Sequence, residues 1–164
     1  MVIDDPECEV SINEPFNPVL VSEQKEEGKK LGRNHVLRVV FDKKWKLCEC
    51  YVEKEGKLDG QALLFYPNGT VKAESFYAEG QLHGPAFFYS KEGNVWAESF
   101  FVRGFQQGKS RWYYPTGALY SVQRYKDGVW HGLQEYYDAE GKVKTLLHYD
   151  KGKLMHGSKR FEKR

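Results

Sequence analysis

Glycine recurs along this chain at a fixed spacing of 24 residues, and this spacing constrains the fold more than any other feature of the sequence. With one slip of a single residue near the C-terminus, 14 of the 16 glycines belong to three registers. These are Gly56, Gly80, Gly104, Gly128 and Gly152; then Gly60, Gly84, Gly108, Gly132 and the displaced Gly157; and finally Gly69, Gly93, Gly117 and Gly141. Because a period of this length is the signature of a repeat architecture, the chain is predicted to stack copies of one supersecondary unit.

Each unit is predicted to be a β-hairpin. Its turn is a three-residue loop ending in glycine, such as Pro67-Asn68-Gly69, which fits a type I turn followed by a left-handed residue in a G1 bulge. Counting outward from this turn predicts three cross-strand pairs: Phe65 with Val71, Leu63 with Ala73, and Gln61 with Ser75. Strict alternation then predicts one core face, formed by Phe65, Val71, Ala73, Tyr77 and their equivalents. The Gly-x-x-x-Gly segments are predicted to link one hairpin to the next.

The composition agrees with an all-β fold. The chain contains 4 Trp, 11 Tyr and 10 Phe, and a disordered chain could not bury so many rings. No run of about 18 apolar residues predicts a membrane helix. We therefore expect an elongated, twisted, single-layer antiparallel sheet of tandem 24-residue β-hairpin repeats, with about eleven strands.

Three regions are predicted along the chain. Residues 1–30 form an acidic N-terminal segment, either a tail or a cap, since the first 27 residues contain eight acids and one base. Residues 31–55 are interpreted as a diverged capping hairpin without the turn glycine. Residues 56–164 form the repeat array, with four full units and a partial C-terminal unit, because terminal repeats are commonly atypical.

The units resemble MORN repeats, specifically the bacterial variant with a Tyr-x-x-Gly-x-x-x-Gly core. The matching stretches are Tyr77-Ala-Glu-Gly-Gln-Leu-His-Gly84, Tyr125-Lys-Asp-Gly-Val-Trp-His-Gly132 and, with one extra residue, residues 149–157. The pattern departs from the family at Phe101-Val-Arg-Gly-Phe-Gln-Gln-Gly108, where Phe replaces Tyr and Gln replaces His. The resemblance implies a hairpin sheet that serves as a scaffold or interaction surface without catalytic residues. Many bacterial members of the family carry an antitoxin label, and other members are associated with membranes or phosphoinositide enzymes.

Strict alternation also predicts a second sheet face, on which apolar rings concentrate in the middle units. Aromatic residues and arginine are typical anchors of protein interfaces. We therefore predict that the partner-binding residues are Phe76, Phe88, Trp96, Phe100, Trp112, Tyr120, Arg124 and Tyr136.

A single-layer sheet with rings on both faces must either cover one face or use it. One predicted cover is the N-terminal segment, through Phe16, Val19, Leu20 and Val21. Another is a second copy of the chain, meeting this one through the exposed sheet face or edge. The functional interpretation is a surface for another protein, of which an antitoxin-like inhibitor is one form.

Two other binding functions are alternatives. Residues 111–117 are loosely similar to the aromatic hairpins of choline-binding wall repeats, although Trp112 is not repeated at the equivalent positions. Lys72, Lys144 and the C-terminal bases predict weak, salt-sensitive attachment to an anionic membrane surface, because residues 56–164 carry a net charge of only +5. The same modest charge does not predict a nucleic-acid partner.

No motif predicts catalysis. His83 and His131 occupy equivalent positions two units apart, roughly 19 Å along a sheet, which is too far for one metal ion. No nucleophile, base and acid are grouped in the sequence. The chain is therefore predicted to be no enzyme, with no catalytic residue, no metal site and no cofactor. Its three cysteines form no disulfide framework and its N-terminus lacks a secretory signal, so a cytoplasmic location is expected.

Overall fold

The computed structural model describes residues 25–31, 34–156 and 159–160, and these residues form one antiparallel β-sheet. Strands that follow one another in sequence are neighbours in the sheet, so the predicted all-β array of tandem hairpins is confirmed. Most of the acidic N-terminal segment, including Phe16, Val19, Leu20 and Val21, lies outside the described residues. The sheet contains 15 described strands: β1 (Lys25–Leu31), β2 (His35–Phe41), β3 (Leu47–Lys54), β4 (Lys57–Phe65), β5 (Val71–Ala78), β6 (Gln81–Tyr89), β7 (Val95–Val102), β8 (Phe105–Gln106), β9 (Gly108–Tyr113), β10 (Leu119–Lys126), β11 (Val129–Trp130), β12 (Gly132–Tyr137), β13 (Val143–Asp150), β14 (Lys153–Leu154) and β15 (Lys159–Arg160).

The prediction of eleven strands was too low for two reasons. Strand β1 extends the sheet before the diverged hairpin, within the region that was predicted to be a tail or cap. The later units are also interrupted, because β8 and β9 are separated at Gln107, β11 and β12 at His131, and the closing strand is divided into β14 and β15.

The glycine-ending loops form the predicted turn. In the first full unit, the N–H of Gly69 donates to the carbonyl of Tyr66 at 2.8 Å, and Gly69 has a φ of 88°. This left-handed residue after the turn is the expected G1 bulge. In the diverged hairpin, Trp45 takes the position of the glycine with a φ of 59° and donates its N–H to the carbonyl of Asp42 at 3.0 Å.

A second kind of turn replaces the predicted linkers. Glu55 and Gly56 have φ values of 51° and 77°, and the later pairs at this position are also both left-handed. Two consecutive left-handed residues are the mark of a type I′ turn, which suits a two-residue hairpin. The Gly-x-x-x-Gly segments are therefore not linkers: they turn the chain and then continue as strand.

These short turns join each unit to the one before it. The N–H of Gly80 donates to the carbonyl of Leu58 at 2.8 Å, and Gly104 donates in the same way to Leu82 at 2.8 Å. On the opposite edge of the sheet, the hydroxyl of Tyr66 donates to the carbonyl of Tyr89 at 2.8 Å. Successive units are thus bonded at both edges.

An extra residue in each hairpin overturns the predicted core face. Phe65 pairs with Val71 as expected, but Ala73 pairs with Leu64 rather than Leu63, so that Lys72 is left without an opposite residue as a β-bulge. A bulge interrupts the alternation of side chains between faces. Phe65 and Val71 therefore lie on the opposite face from Ala73 and Tyr77. The same irregularity recurs at Cys48, Trp96, Tyr120 and Lys144.

Most of the buried residues lie on the face that contains Ala73 and Tyr77, which we call the ring face. At the most deeply buried position of each unit the residues are Ala62, Ala86, Ser110 and Gln134, at 1%, 2%, 0% and 0% exposure. The N-terminal part of this core packs Val40, Tyr51, Ala62 and Tyr77 together, with Leu58 and Leu82 against them. We call the opposite face, which contains Glu74, Glu98 and Glu135, the carboxylate face.

The second glycine of each Gly-x-x-x-Gly segment is required by a close approach as well as by its backbone conformation. A Cβ on Gly84, whose φ is 123°, would lie 3.2 Å from the Cβ of Phe76. By contrast, Gly93 has a φ of 88°, and a Cβ there would have nothing within 4 Å.

Replacing Gly84 by alanine is expected to destabilise the protein more than replacing Gly93. Both variants strain a left-handed backbone, which costs about 1 kcal/mol, and Gly84→Ala adds a contact with Phe76 that brings its cost to about 2–3 kcal/mol. The free energy of unfolding, measured by urea denaturation, checks this order. Equal losses in the two variants would show that the approach to Phe76 is not a constraint.

Candidate functional site

One unbroken row of cross-strand pairs crosses the sheet at right angles to the strands. We call it the cross-sheet row, and it runs through Glu26, Val40, Glu49, Leu64, Ala73, Phe88, Ala97, Trp112, Ser121, Tyr136, Thr145 and Arg160. Directly opposite residues share a sheet face, so the described side chains of this row belong to the ring face. The row connects β1 with the far end of the sheet.

Aromatic side chains stack along the middle of this row. The ring centroids of Phe88 and Trp96 are 5.7 Å apart, and those of Trp96 and Trp112 are 5.4 Å apart. Further along, Tyr120 lies 5.1 Å from Tyr114 and 6.1 Å from Tyr136, both edge to face. These separations are typical of favourable aromatic pairs. We call the set the ring ladder: Phe88, Trp96, Trp112, Tyr114, Tyr120 and Tyr136.

The structure divides the predicted binding residues between two faces. Phe88, Trp96, Trp112, Tyr120 and Tyr136 lie together in the ring ladder, whereas Phe76, Phe100 and Arg124 lie on the carboxylate face. The prediction of one shared second face was therefore wrong. The bulge is the cause, because it turns Trp96 and Tyr120 to the same side as their cross-strand neighbours.

The polar groups of the carboxylate face are paired with each other. Glu98 accepts hydrogen bonds from Arg111 Nη1 at 2.6 Å and from the Tyr113 hydroxyl at 3.2 Å. Arg124, a predicted anchor, lies 2.9 Å from Glu135 in an ion pair and also donates to the carbonyl of Leu133. These pairings reduce what Arg124 can offer to a partner. Phe100 remains 44% exposed on this face.

The ring face differs because three of its buried polar atoms have no hydrogen-bond partner among the described residues. They are Nε1 of Trp96, Nε1 of Trp112 and Oγ of Ser121. Trp112 and Ser121 are directly opposite each other, and Trp96 stacks on Trp112, so the three groups are neighbours. An unsatisfied buried donor costs about 1–3 kcal/mol, which an acceptor from a bound chain would recover.

Other buried polar groups of the ring face are satisfied. Gln106 Nε2 donates to Ser110 Oγ at 2.8 Å and to Ser99 Oγ at 3.1 Å, and the two serine hydroxyls are 3.0 Å apart. The lack of partners is thus specific to the Trp96, Trp112 and Ser121 group. Sequence reasoning could rank these rings as exposed or buried, but nothing in the residue types shows whether an indole N–H finds an acceptor.

The C-terminal rings of the ladder shift the ionisation of Tyr136. Burial, assisted by the neighbouring hydroxyls of Tyr120, Tyr125 and Tyr149, raises the pKa of Tyr136 to about 12. Burial is also the largest cause of the raised pKa of Tyr120. A phenolate on the ring face would lack solvation, so these tyrosines act as neutral contact groups at physiological pH.

A family model described as a MORN repeat variant matches residues 58–81, 106–127 and 130–151. These segments fall on the 24-residue register, and the residues between the first two contain most of the stretch 101–108 where the pattern departs from the family. This chain is a MORN repeat protein. Its MORN repeats supply β4 and β5 and then most of the sheet from β9 to β13.

Comparison with known proteins adds little beyond the MORN assignment. No curated protein matches the chain. Among solved structures, it is similar to that of accessory secretory protein 1, 2 and 3 in Streptococcus pneumoniae, at 18% identity over 66% of this chain and 20% of the other, with a TM-score of 0.37. It is also similar to an S. aureus TarM mutant in complex with Fondaparinux, alpha-GlcNAc-glycerol and UDP, at 12% identity over 74% of this chain and 21% of the other, with a TM-score of 0.36. The MORN chain thus spans about a fifth of the length of each.

Two other kinds of site are absent from the described residues of this MORN protein. No helix there is both long and apolar enough to cross a membrane. Nor do the described residues bring three or more His, Cys, Asp or Glu side chains together in a way that could hold a metal ion.

Alkaline pH is expected to destabilise the protein through Tyr136. An unfolded tyrosine loses its proton near its ordinary pKa of 10, whereas folded Tyr136 keeps its proton to about 12. The free energy of unfolding should therefore be unaffected below about pH 10 and should fall as the pH rises toward about 12. In Tyr136→Phe, which has no proton to lose, the fall should be smaller.

Urea midpoints at about pH 9 and about pH 11 check this prediction, with wild type and Tyr136→Phe measured side by side. The same loss in both proteins would mean that Tyr136 does not hold its proton more tightly in the folded state.

Proposed function

We propose that this MORN protein is a non-catalytic interaction module that binds another protein along the ring ladder. The observation that carries the proposal is the neighbouring group of Trp96, Trp112 and Ser121, whose buried polar atoms lack partners among the described residues within a continuous aromatic surface. Rings of this kind provide large, rigid contact area, and they are enriched among the residues that dominate binding energy.

The contrast between the two faces supports this choice of surface. On the carboxylate face, Glu98 and Arg124 already have close polar partners, so a bound protein would gain little from them. On the ring ladder, a bound protein would bury aromatic area and could supply acceptors to the two indole N–H groups. The ladder also follows one straight row, which suits an extended chain better than a compact ligand.

The finer role of an antitoxin-like inhibitor in a bacterial cytoplasm rests on the family resemblance. If the protein inhibits a partner enzyme, the complex should form with loss of that enzyme's activity. Under the broader proposal of a scaffold, the partner would keep its activity in the complex.

Substitutions on the two faces are expected to separate binding from stability. Trp112→Ala and Trp96→Ala should each weaken partner binding by about 2 kcal/mol, or about thirtyfold in Kd, because ladder rings act as anchors. Phe100→Ala, on the opposite face, should leave the affinity within about twofold of wild type. The measurement is capture of partners from the native host by wild type and each variant, followed by titration of the captured protein.

Phe100 is a suitable control because it is a large apolar residue of the same array and is 44% exposed. Circular dichroism and thermal unfolding identify any variant that fails to fold. Loss of capture in Phe100→Ala, with both tryptophan variants unaffected, would assign the binding surface to the carboxylate face instead.

A further inference from the structure

The ring ladder repeats at the pitch of a polyproline II helix. Phe88 and Trp112 occupy equivalent positions on β6 and β9, which are two strands apart along the cross-sheet row. Two strand spacings are about 9.6 Å. A polyproline II helix rises about 9.3 Å in each turn of three residues. A segment in this conformation that crosses the strands would therefore present every third residue to the same position of successive units.

The chain contains a segment with this periodicity shortly before β1. Its sequence is Pro15-Phe16-Asn17-Pro18, followed by Val19, Leu20 and Val21, and its two prolines are three residues apart. Proline fixes φ near the polyproline II value, so little conformational entropy is lost when such a segment docks. Segments with this spacing are bound by aromatic-lined grooves in other proteins.

The length of chain between this segment and the sheet fits the ladder. Glu26 of β1 lies on the cross-sheet row, five strand steps from Phe88 and seven from Trp112. These steps correspond to about 24 Å and about 34 Å. Pro18 and Pro15 precede Glu26 by 8 and 11 residues, which in the polyproline II conformation span about 25 Å and about 34 Å. Pro18 would thus reach Phe88, and Pro15 would reach Trp112.

The polar chemistry of the two surfaces is complementary. A polyproline II segment makes no internal hydrogen bonds, so its carbonyl oxygens are free to accept. The indole N–H groups of Trp96 and Trp112 are donors without partners among the described residues. Both side chains are only half-buried, so a small rotation of each ring would bring its N–H to a docked carbonyl.

Net charge favours the same contact. Residues 1–24 contain six acids and no base, whereas residues 56–164 have a net charge of +5. On the ring face, Lys72 occupies a bulge position one strand before Phe88, where its ammonium lies 5.7 Å from the ring centre of Tyr66. The attraction between the acidic segment and the array would weaken as salt is added.

We propose that residues 15–21 dock as a polyproline II segment across the ring ladder of their own chain, with Pro18 on Phe88 and Pro15 on Trp112. The segment then occupies the surface that a partner protein would use and acts as an intramolecular competitor. Only this competitive role rests on the proposed function; the docking itself requires no partner.

The test uses the indole N–H resonances of the full-length protein, assigned by replacing each tryptophan in turn with phenylalanine. Replacing both prolines, in Pro15→Ala/Pro18→Ala, should shift the resonances of Trp96 and Trp112 and speed their hydrogen exchange by about tenfold, because the acceptors are withdrawn. The resonance of Trp130, which stacks on Tyr149 away from the ladder, should not move. Added salt should reproduce the direction of the shifts in wild type.

Pro6→Ala is the matched control, because Pro6 belongs to the same acidic segment but lies outside the proline pair. It should leave the Trp96 and Trp112 resonances unchanged. Equal shifts in Pro6→Ala and in the double variant, or no shift in either, would overturn the proposal. Shifts that disappear on dilution would assign the occupant to a second copy of the chain and would also overturn it.

Partner binding gives a separate readout. The double variant should bind a captured partner about tenfold more tightly, because the competing segment has been released. Movement of the indole resonances without any change in partner affinity would retain the docking and reject the competition. A loss of partner binding in Trp112→Ala with unmoved resonances in the double variant would retain the proposed function and reject the docking.

Discussion

The hydrogen bond from each type I′ turn to the preceding unit is the interaction on which the rest of this structure depends. Gly80 and Gly104 reach carbonyls that are one unit earlier in the sheet, at Leu58 and Leu82. This bond requires two consecutive left-handed residues, which explains why the position before each of these glycines also has a positive φ. Since the bond recurs every 24 residues, it holds equivalent residues of successive units in line. The straight cross-sheet row, and therefore the ring ladder, is the result.

Much of this fold is legible in the sequence because glycine marks where the backbone is left-handed. The spacing of Gly56, Gly69 and Gly80 gave the period, the position of both turns and the order of the strands. The type of the second turn was missed, since its first residue is Glu, Arg, Asp or Lys rather than a residue with a known left-handed preference.

The candidate site was less predictable, and the bulge accounts for most of the difference. An extra residue at Lys72, Trp96 or Tyr120 carries no sequence mark, because these side chains share neither size nor polarity. Strict alternation therefore placed Phe100 with Trp96, although they lie on opposite faces. The unpartnered indole N–H groups are a further property that depends on where neighbouring acceptors lie, which residue types alone do not reveal. What the sequence did identify is the set of rings, since five of the eight predicted residues are in the ladder.

The two faces show how one layer of strands can satisfy opposing demands. On the carboxylate face, side chains from neighbouring strands neutralise each other, as Glu98 does with Arg111 and Tyr113. Such a surface stays solvated without offering strong attachment points. The ring face instead combines buried small residues such as Ala97 and Ser121 with large rings beside them. Chemical identity is thus separated by face and not by position along the array.

Bonding at both edges, from one unit only to the next, has a consequence for how this protein could change its size. A repeat protein whose contacts are confined to neighbours has a stability close to a sum over units and their joints. Deleting or duplicating a full 24-residue stretch would rejoin Gly80-type turns to Leu58-type carbonyls without leaving a mismatched joint. A deletion of any other length would break the alignment of both edges at once. The array is therefore a ruler with a fixed division of two strands, and its length can be adjusted in whole divisions while the face it presents stays the same.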